Sequence, residues 1–528
     1  MKRTIVLSLF AALALSCSKE ALDTFPSNKV PADVVYGDVE NAKAALTGSL
    51  AGLGSAGWTS GYNSGMGFGI TESYLTGDAL AEDYVLSASG SGWMWQTYAY
   101  NLKNWFDDPR LQCHTDWNCY YTTINGMNGL IGSAELLSET PEGKSVLGQA
   151  YVLRAFSYHM LAQLFARAYF YYPDDLCVPV YIEPTTSETK GQPRSTNREV
   201  YEEVIVPDLT NGIALLKEAL EAGVRRSNKT EVDYFVANGI KARVALTMHR
   251  WSDAYTAAEE ALKGAATRVL PAAQLASGMN DIMQLGSVLW GEIKTPDNYG
   301  MYASFQSQMD AGHDGYAKSA RRCCTKYLWT KLGQQDARRA WWMGDFDNAD
   351  YAKEGETIKY CQRKFKFQGS SWLGDYIYMR AEEMLLTAAE AYCQEGNDVK
   401  AREFLGELMA QRDPAYKGAA KSGNSLGRLT SGSDGAAETG SLLEEIINQR
   451  RIELWGEYGR LYDIKRLGQG FKRTAPEAGD NPDFSAAALL GNRDTQSPGT
   501  FAWVLLIPQV ELDGNSEIIQ NPLGDTAE

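Results

Sequence analysis

Histidine is scarce in this chain: His114, His159, His249 and His313 are the only four in 528 residues. None stands at metal-ligand spacing from another, so the sequence offers no histidine-based metal site, and surface or core roles are the expectation for all four. Eight cysteines occur, and beyond Cys17 the remaining Cys113, Cys119, Cys177, Cys323, Cys324, Cys361 and Cys393 contain no C-x-x-C pair. That excludes the usual zinc ribbons. Their odd number leaves at least one unpaired within the chain; Cys113 and Cys119 could bridge in an oxidising compartment, and buried free thiols are the alternative. Positive charge is also in deficit, with 50 Lys and Arg against 66 Asp and Glu and a net charge of −16. Nucleic acid is therefore a poor partner, since phosphate contacts need clustered cations. No P-loop pattern is present, and no apolar run after residue 16 approaches the roughly 20 residues that span a bilayer.

Carboxylates are abundant but badly placed for paired acid–base work. Glu382–Glu383 and Glu444–Glu445 are neighbours on predicted helices, where successive side chains point about 100° apart, so neither pair can flank one glycosidic bond. A glycoside hydrolase would need carboxylates remote in sequence, and this remains the least favoured reading. Asp345, Asp347, Asp350, Glu354 and Glu356 crowd one loop, but the spacing fails the calcium-loop pattern at Ala349 and lacks its glycine. A solvated acidic loop is expected there, with no metal and no cofactor.

What is present begins at the N-terminus. Lys2 and Arg3 precede an apolar run, Ile5 to Leu15, that is long enough for an export signal and too short for a membrane span. It ends in Ala14, Leu15, Ser16 and Cys17, which resembles a lipobox. Such a signal is cut before the cysteine, which then carries the lipid, and two acyl chains already suffice for stable anchoring. Residues 1–16 thus read as a lipoprotein signal peptide and 17–36 as a lipid-anchored tether.

The body reads as mostly α-helical. Val39, Ala42, Ala45, Leu46 and Leu50 recur at helical spacing, and Trp117 to Leu137, Val146 to Phe165, Glu199 to Leu220 and Asp233 to His249 are each amphipathic. Ala242, Ala254 and Ala261 stand twelve and seven apart, the spacing of small residues in tetratricopeptide hairpins, where two helices approach closely only if side chains leave room. Ala389 and Ala401 repeat the twelve-residue step, with Gly396 and Asn397 at the turn, although Leu408 replaces the usual small residue. Four regions follow: 37–264, a helical and aromatic region with the first hairpins; 265–374, an aromatic-rich insertion; 375–467, a second tetratricopeptide-like region; and 468–528, a closing segment. The insertion holds Trp290, Tyr302, Tyr316, Trp329, Trp341, Trp342 and Trp372 among others. Its length and aromatic content predict a ligand-facing subdomain rather than disorder. Gly418 to Gly440, poor in aromatics, predicts a mobile surface loop.

Leu442 to Leu467 reads as one helix, and its tail from Arg450 runs RRIELWGEYGRLYDIKRLG. With LLIPQVELDGNSEIIQNP at Leu505 to Pro522, this resembles the SusD/RagB family of surface nutrient-binding lipoproteins. The family pattern falls on Arg450, Arg451, Glu453, Leu454, Glu457, Gly459, Arg460, Asp463, Lys465 and Arg466. Charges three apart, such as Arg450 with Glu453, suit a solvated helix face, so these residues are expected to be structural. The resemblance implies a scaffold of four tetratricopeptide-like hairpins, an irregular ligand-binding half, and a TonB-dependent, SusC-like transporter as partner. Family members bind polysaccharides, oligosaccharides or peptides.

Two stretches compete for the site. One holds Asp78, Trp93, Trp95, Tyr98, Tyr100 and Asn101; the other, in the insertion, holds Trp290, Tyr299, Tyr302 and Arg321. Pyranose rings present C–H faces that pack on exposed aromatic rings, while hydroxyls need polar partners, for which Asp78, Asn101 and Arg321 are candidates. Trp93 and Trp290, each beside glycine, are the rings expected to be exposed; the competing expectation is that tryptophans are core. The sequence therefore points to non-catalytic glycan capture, with peptide or glycopeptide capture, or a structural lid on the transporter, as alternatives in the same scaffold.

Because one side chain would carry the whole anchor, Cys17→Ser should leave the protein folded and move it from the outer-membrane fraction to the soluble fraction. Persistence of the variant in sedimented membranes of cells lacking the transporter would overturn the anchor reading.

Overall fold

The computed structural model describes residues 36–55, 67–88, 93–100, 112–298, 302–312, 315–344, 358–369, 372–475, 489–490 and 493–523. Cys17, Tyr299, Asn101 and most of the acidic loop lie outside these residues. Helix α1 (Val39–Leu53) starts where Asp38 accepts the Asn41 amide at 2.8 Å, an N-cap. It is followed by α2 (Ile70–Ala79), strand β1 (Tyr84–Leu86) and the short α3 (Trp93–Tyr98). Then come α4 (Gln112–Ile131), α5 (Pro141–Phe165), α6 (Val206–Glu221), α7 (Tyr234–Thr247) and α8 (Trp251–Leu262). The insertion supplies β2 (Val288–Glu292), α9 (Phe305–Met309), α10 (Tyr316–Ser319) and β3 (Arg322–Cys324). The chain closes with β4 (Tyr376–Arg380), α11 (Ala381–Gln394), α12 (Asp398–Ala410), α13 (Leu442–Glu453), α14 (Arg460–Arg466) and α15 (Gln509–Gly514). The fold is mostly helical, as the periodicity predicts, and no described helix is long and apolar enough to cross a membrane.

The helices pack as successive hairpins: α4 on α5, α5 on α6, α7 on α8 and α11 on α12. The alanines singled out by spacing do what the spacing requires. Ala242, Ala254, Ala261, Ala389 and Ala401 are all fully buried at these interfaces. Helix α8 packs directly on α11 although the insertion separates them in sequence, so the two repeat-like units are neighbours in space. Asn397 caps α12 by accepting the Lys400 amide at 3.1 Å, which explains the Gly-Asn turn between α11 and α12.

Three expectations change. The predicted single helix from Leu442 breaks after Glu453 and restarts at Arg460, because Gly456 and Gly459 adopt φ of 77° and 96°. Gly459 also lies so close to α2 that a Cβ on Gly77 would sit 3.0 Å from the Gly459 Cα. Second, the charges of this segment do not face solvent. Arg450, Arg451, Glu453, Glu457, Arg460, Asp463, Lys465 and Arg466 are all buried. Third, 418–440 is not a free surface loop: Thr430, Ser431 and Ser433 are buried, Leu429 bridges Gly470, and the Ser431 carbonyl accepts from Arg451 at 2.7 Å. The seven cysteines described are buried, and Cys113 and Cys119 are thiols rather than a bridge.

Glu453 is the centre of the buried ion network. It accepts from Arg412 at 2.9 and 3.0 Å, from Arg380 at 3.0 Å and from Arg338 at 3.3 Å. Arg380 also holds Glu457 at 2.6 Å, Arg450 holds Asp463 at 2.8 Å, and Arg466 spans Asp463 and Glu390. Burial alone would push the Glu453 carboxyl up, but the Arg412, Arg380 and Arg338 guanidiniums outweigh it and hold it well below the usual carboxylate range.

Glu453→Gln should therefore lower the unfolding free energy by about 3 to 5 kcal/mol, since it strands buried guanidiniums. A depressed carboxyl stabilises the fold fully above the unfolded value near about pH 4 and loses that contribution as pH falls below it. The variant's denaturation midpoint should accordingly fall less steeply than the parent's between about pH 5 and 3. Equal slopes would show that Glu453 is not ionised in the fold.

Candidate functional site

The two candidate stretches converge. Strand β1 pairs antiparallel with β3, Tyr84 opposite Cys324 and Leu86 opposite Arg322. The ladder continues as the Ser87 amide donates to the Arg321 carbonyl at 3.0 Å and the Arg321 amide to the Ser87 hydroxyl at 2.8 Å. Residues 84–88 and 315–324 thus share one wall.

Individual candidates fare differently. Trp290 is 0% exposed in β2, its ring 5.1 Å from Phe156 and 5.0 Å from Tyr378, and its Nε1 donates to the Thr230 carbonyl at 3.1 Å. The exposure expected from its glycine neighbour is wrong. Gly291 admits the close approach of β4, with the Tyr376 carbonyl against it, and does not mark a surface turn. Asp78 is also buried, and its carboxylate accepts the Gly456 amide at 2.9 Å and the Arg460 amide at 2.7 Å. It is a clamp on the break between α13 and α14, not a group facing a ligand. Burial pushes its carboxyl up to about 7 despite those two amides. Arg321 donates to the Ala317 and Lys318 carbonyls, which closes α10 and so positions Tyr316. Trp95 is half-buried, 5.5 Å from Tyr98. Trp93 opens α3, and its side chain lies outside the described residues.

Tyr302 is the candidate that meets other exposed rings. It is 42% exposed, 4.8 Å from Trp372 and 6.2 Å from Tyr316, both half-buried, while the buried Phe367 supports Trp372 edge-on at 5.4 Å. Helix α9, capped by Ser304, runs beside them. Its Gln306 is fully buried with neither amide atom bonded, and the Ser307 hydroxyl is likewise unpartnered. A Cβ on Gly315 would lie 3.1 Å from both the Ser307 hydroxyl and the Trp372 ring, and one on Gly374 would collide with the Gln306 amide. The amide, the hydroxyl and the rings are therefore in one place. Gln306 and Ser307 are both 0% exposed, so they pack behind the rings and do not face solvent. Sequence reasoning missed Gln306 and Ser307, because a Gln-Ser-Gln run between Phe305 and Met309 carries no spacing signal.

Most of the insertion's other aromatics are core: Trp329, Trp341, Trp342 and Phe305 are buried. The adjacent carboxylates diverge as helix geometry requires, Glu382 toward Arg380 and Arg412, Glu383 toward Arg243 and Arg450. Gly423-Asn424-Ser425-Leu426-Gly427 has the spacing of a nucleophile elbow, but it is an extended exposed strap rather than a strand-to-helix turn, and no histidine bonds Ser425 among the described residues.

Residues 69–238 match a family model described as starch-binding and associating with the outer membrane, and residues 342–523 match the SusD family model. A SusD-like protein of Formosa agariphila is 26% identical over 445 residues, spanning 77% of this chain and 80% of that protein. A SusD-like carbohydrate binding protein from Bacteroides vulgatus has TM-score 0.72 at 23% identity, covering 91% of this chain and 97% of its own. A SusD superfamily protein from Bacteroides thetaiotaomicron has TM-score 0.73 at 22% identity, covering 92% and 100%. At such identities the structural likeness establishes the fold. Tyr302 and Tyr316 fall between the two matched stretches.

Since Trp290 fills the interior, Trp290→Ala should destabilise the fold by about 3 to 5 kcal/mol in denaturant titrations. Unchanged stability together with lost ligand binding would restore it as a contact residue.

Proposed function

The chain belongs to the SusD family, and from that premise we propose that it captures glycans without catalysis at the outer-membrane surface and passes them to a TonB-dependent, SusC-like transporter. The observation that carries this reading is the cluster of Tyr302, Tyr316 and Trp372 at the surface. Aromatic faces suit the C–H faces of pyranose rings. The insertion 265–374 is then the ligand-facing part, with helices α4–α8 and α11–α14 as its scaffold. Supporting the location are the lipobox at Cys17 and the matched model's association with the outer membrane. The structural relative described as carbohydrate binding supports the ligand class.

A peptide ligand would instead need open backbone edges or side-chain pockets, and the ring cluster offers neither. Titration of the purified chain against polysaccharides, oligosaccharides and peptides separates the two. Trp372→Ala and Tyr302→Ala should each weaken glycan binding by about 1 to 3 kcal/mol, the scale of ring stacking, with the melting temperature little changed. Normal glycan binding by both folded variants would move the site elsewhere, and selective binding of peptides by the parent chain would replace the ligand class.

A further inference from the structure

A second cleft, of about 350 Å³, opens on the helical half between α4, residues 181–191 and α15. It shares no lining residue with the ring cluster around Trp372. We propose that this cleft is a separate binding site for one uncharged sugar unit, independent of the ring cluster.

Its volume is in the range of small-molecule sites. One wall is aromatic: half-buried Tyr121 rests on buried Trp117, their rings 4.7 Å apart, and half-buried Tyr181 stands edge-on to Tyr121 at 6.1 Å. The opposite character comes from amides and hydroxyls; among the described residues no Lys or Arg lines the cleft, and Glu511 is the one charged residue that does. An anionic sugar or a phosphate would find no cation among these residues and would face the Glu511 carboxylate. A neutral sugar needs the reverse, namely ring faces for its C–H groups and amphoteric partners for its hydroxyls.

The walls are fixed before any ligand arrives. Asn125 Oδ1 accepts the Thr185 amide at 2.7 Å and its hydroxyl at 3.1 Å, and the Asn128 amide donates to the Tyr181 and Glu183 carbonyls at 3.0 and 2.9 Å. Buried Arg154 backs Asn128 at 2.8 Å. Across the cleft, the Asn515 amide donates to the Gln192 carbonyl at 2.9 Å and to Glu511 at 3.2 Å. Bonding capacity is left over at the surface of the cleft. The Tyr181 hydroxyl accepts the Gln192 amide at 3.0 Å and keeps its own proton to donate, while Glu511 keeps its second carboxylate oxygen. A preformed wall loses little entropy on binding, which is what a site for a single residue requires.

Gly514 lines the cleft, and a Cβ there meets no atom within 4 Å, so Gly514→Trp fills the space without a clash at its base. Val510 on the rim is 59% exposed, and Val510→Trp serves if the first variant fails to fold. Methyl glycosides of glucose, galactose, mannose and N-acetylglucosamine are titrated into the full-length chain by saturation-transfer NMR, with circular dichroism as the fold check. At least one glycoside should bind the parent, bind Trp372→Ala within twofold of the parent, and bind the folded cleft variant at least tenfold more weakly. Failure of all four glycosides to bind the parent overturns the proposal. So does binding that is lost in Trp372→Ala but kept in the cleft variant, which would leave the ring cluster as the site in use. Loss of oligosaccharide binding in Trp372→Ala tests the ring cluster alone, so the two readings fail separately.

Discussion

The structure depends on keeping ionised side chains out of water in matched sets. Glu453 sits among three guanidiniums, and its network runs through Arg380 to Glu457 and on to Lys364, joining residues from the insertion, β4, the turn after α12, and α13. Moving such charges inside is costly, and hydrophobic replacement of buried pairs is often neutral or better for stability, so strength alone does not account for them. Their geometry does something apolar contacts do not. A bidentate guanidinium fixes both distance and direction, and here it fixes how the helical hairpins meet the irregular half.

The route from this network to the candidate site is short. Arg451 holds Asp83 at 2.7 Å through both nitrogens, and the Trp455 indole donates to the Asp83 carbonyl at 3.0 Å. Asp83 immediately precedes β1, β1 pairs with β3, and β3 follows the short helix bearing Tyr316. Asp78 and Arg473 complete the clamp, the first on the amides of Gly456 and Arg460, the second on the carbonyls of Ala79, Ala81 and Tyr98. Lys465 adds a further tie by donating to the Gln163 and Ala166 carbonyls at the end of α5, at 2.6 Å each. Its partners are carbonyls at a helix end rather than a carboxylate, and burial lowers its ammonium to about 7.

How much of this the sequence discloses follows from the kind of signal each feature leaves. Helices with an apolar stripe and alanines at twelve-residue spacing leave a period, and those elements are where the periodicity puts them. Helix α2 leaves none. All ten of its residues are buried, Glu72 and Asp78 included, so it has no polar face to alternate with, and it hides in a glycine-rich stretch. The charged segment after Arg450 misleads for the same reason: charges at helical spacing imply solvent unless their partners are known, and those partners lie at Asp83, Arg380, Glu390 and Arg412. Aromatic content likewise identifies the insertion without saying which rings show. Trp290 and Trp372 look alike in sequence, yet one is buried in β2 beside β4 and the other is half-buried on a bend.

That division has a consequence for how ligand preference can change in this scaffold. The stretches matched by family models, 69–238 and 342–523, contain most of the helices and most of the ion network, while α8, Arg338, Tyr302 and Tyr316 lie between them. A substitution within the network must find a new partner for every charge it strands, so the scaffold resists piecemeal change. A ring exposed at Tyr302 touches few atoms and can be exchanged at little cost to the fold. Trp372 is intermediate, since it lies within a matched stretch and rests on buried Phe367. Rigid charge pairing below and replaceable rings above therefore let one fold present different surfaces to different ligands, with the β1–β3 wall holding those surfaces at a fixed place on the body.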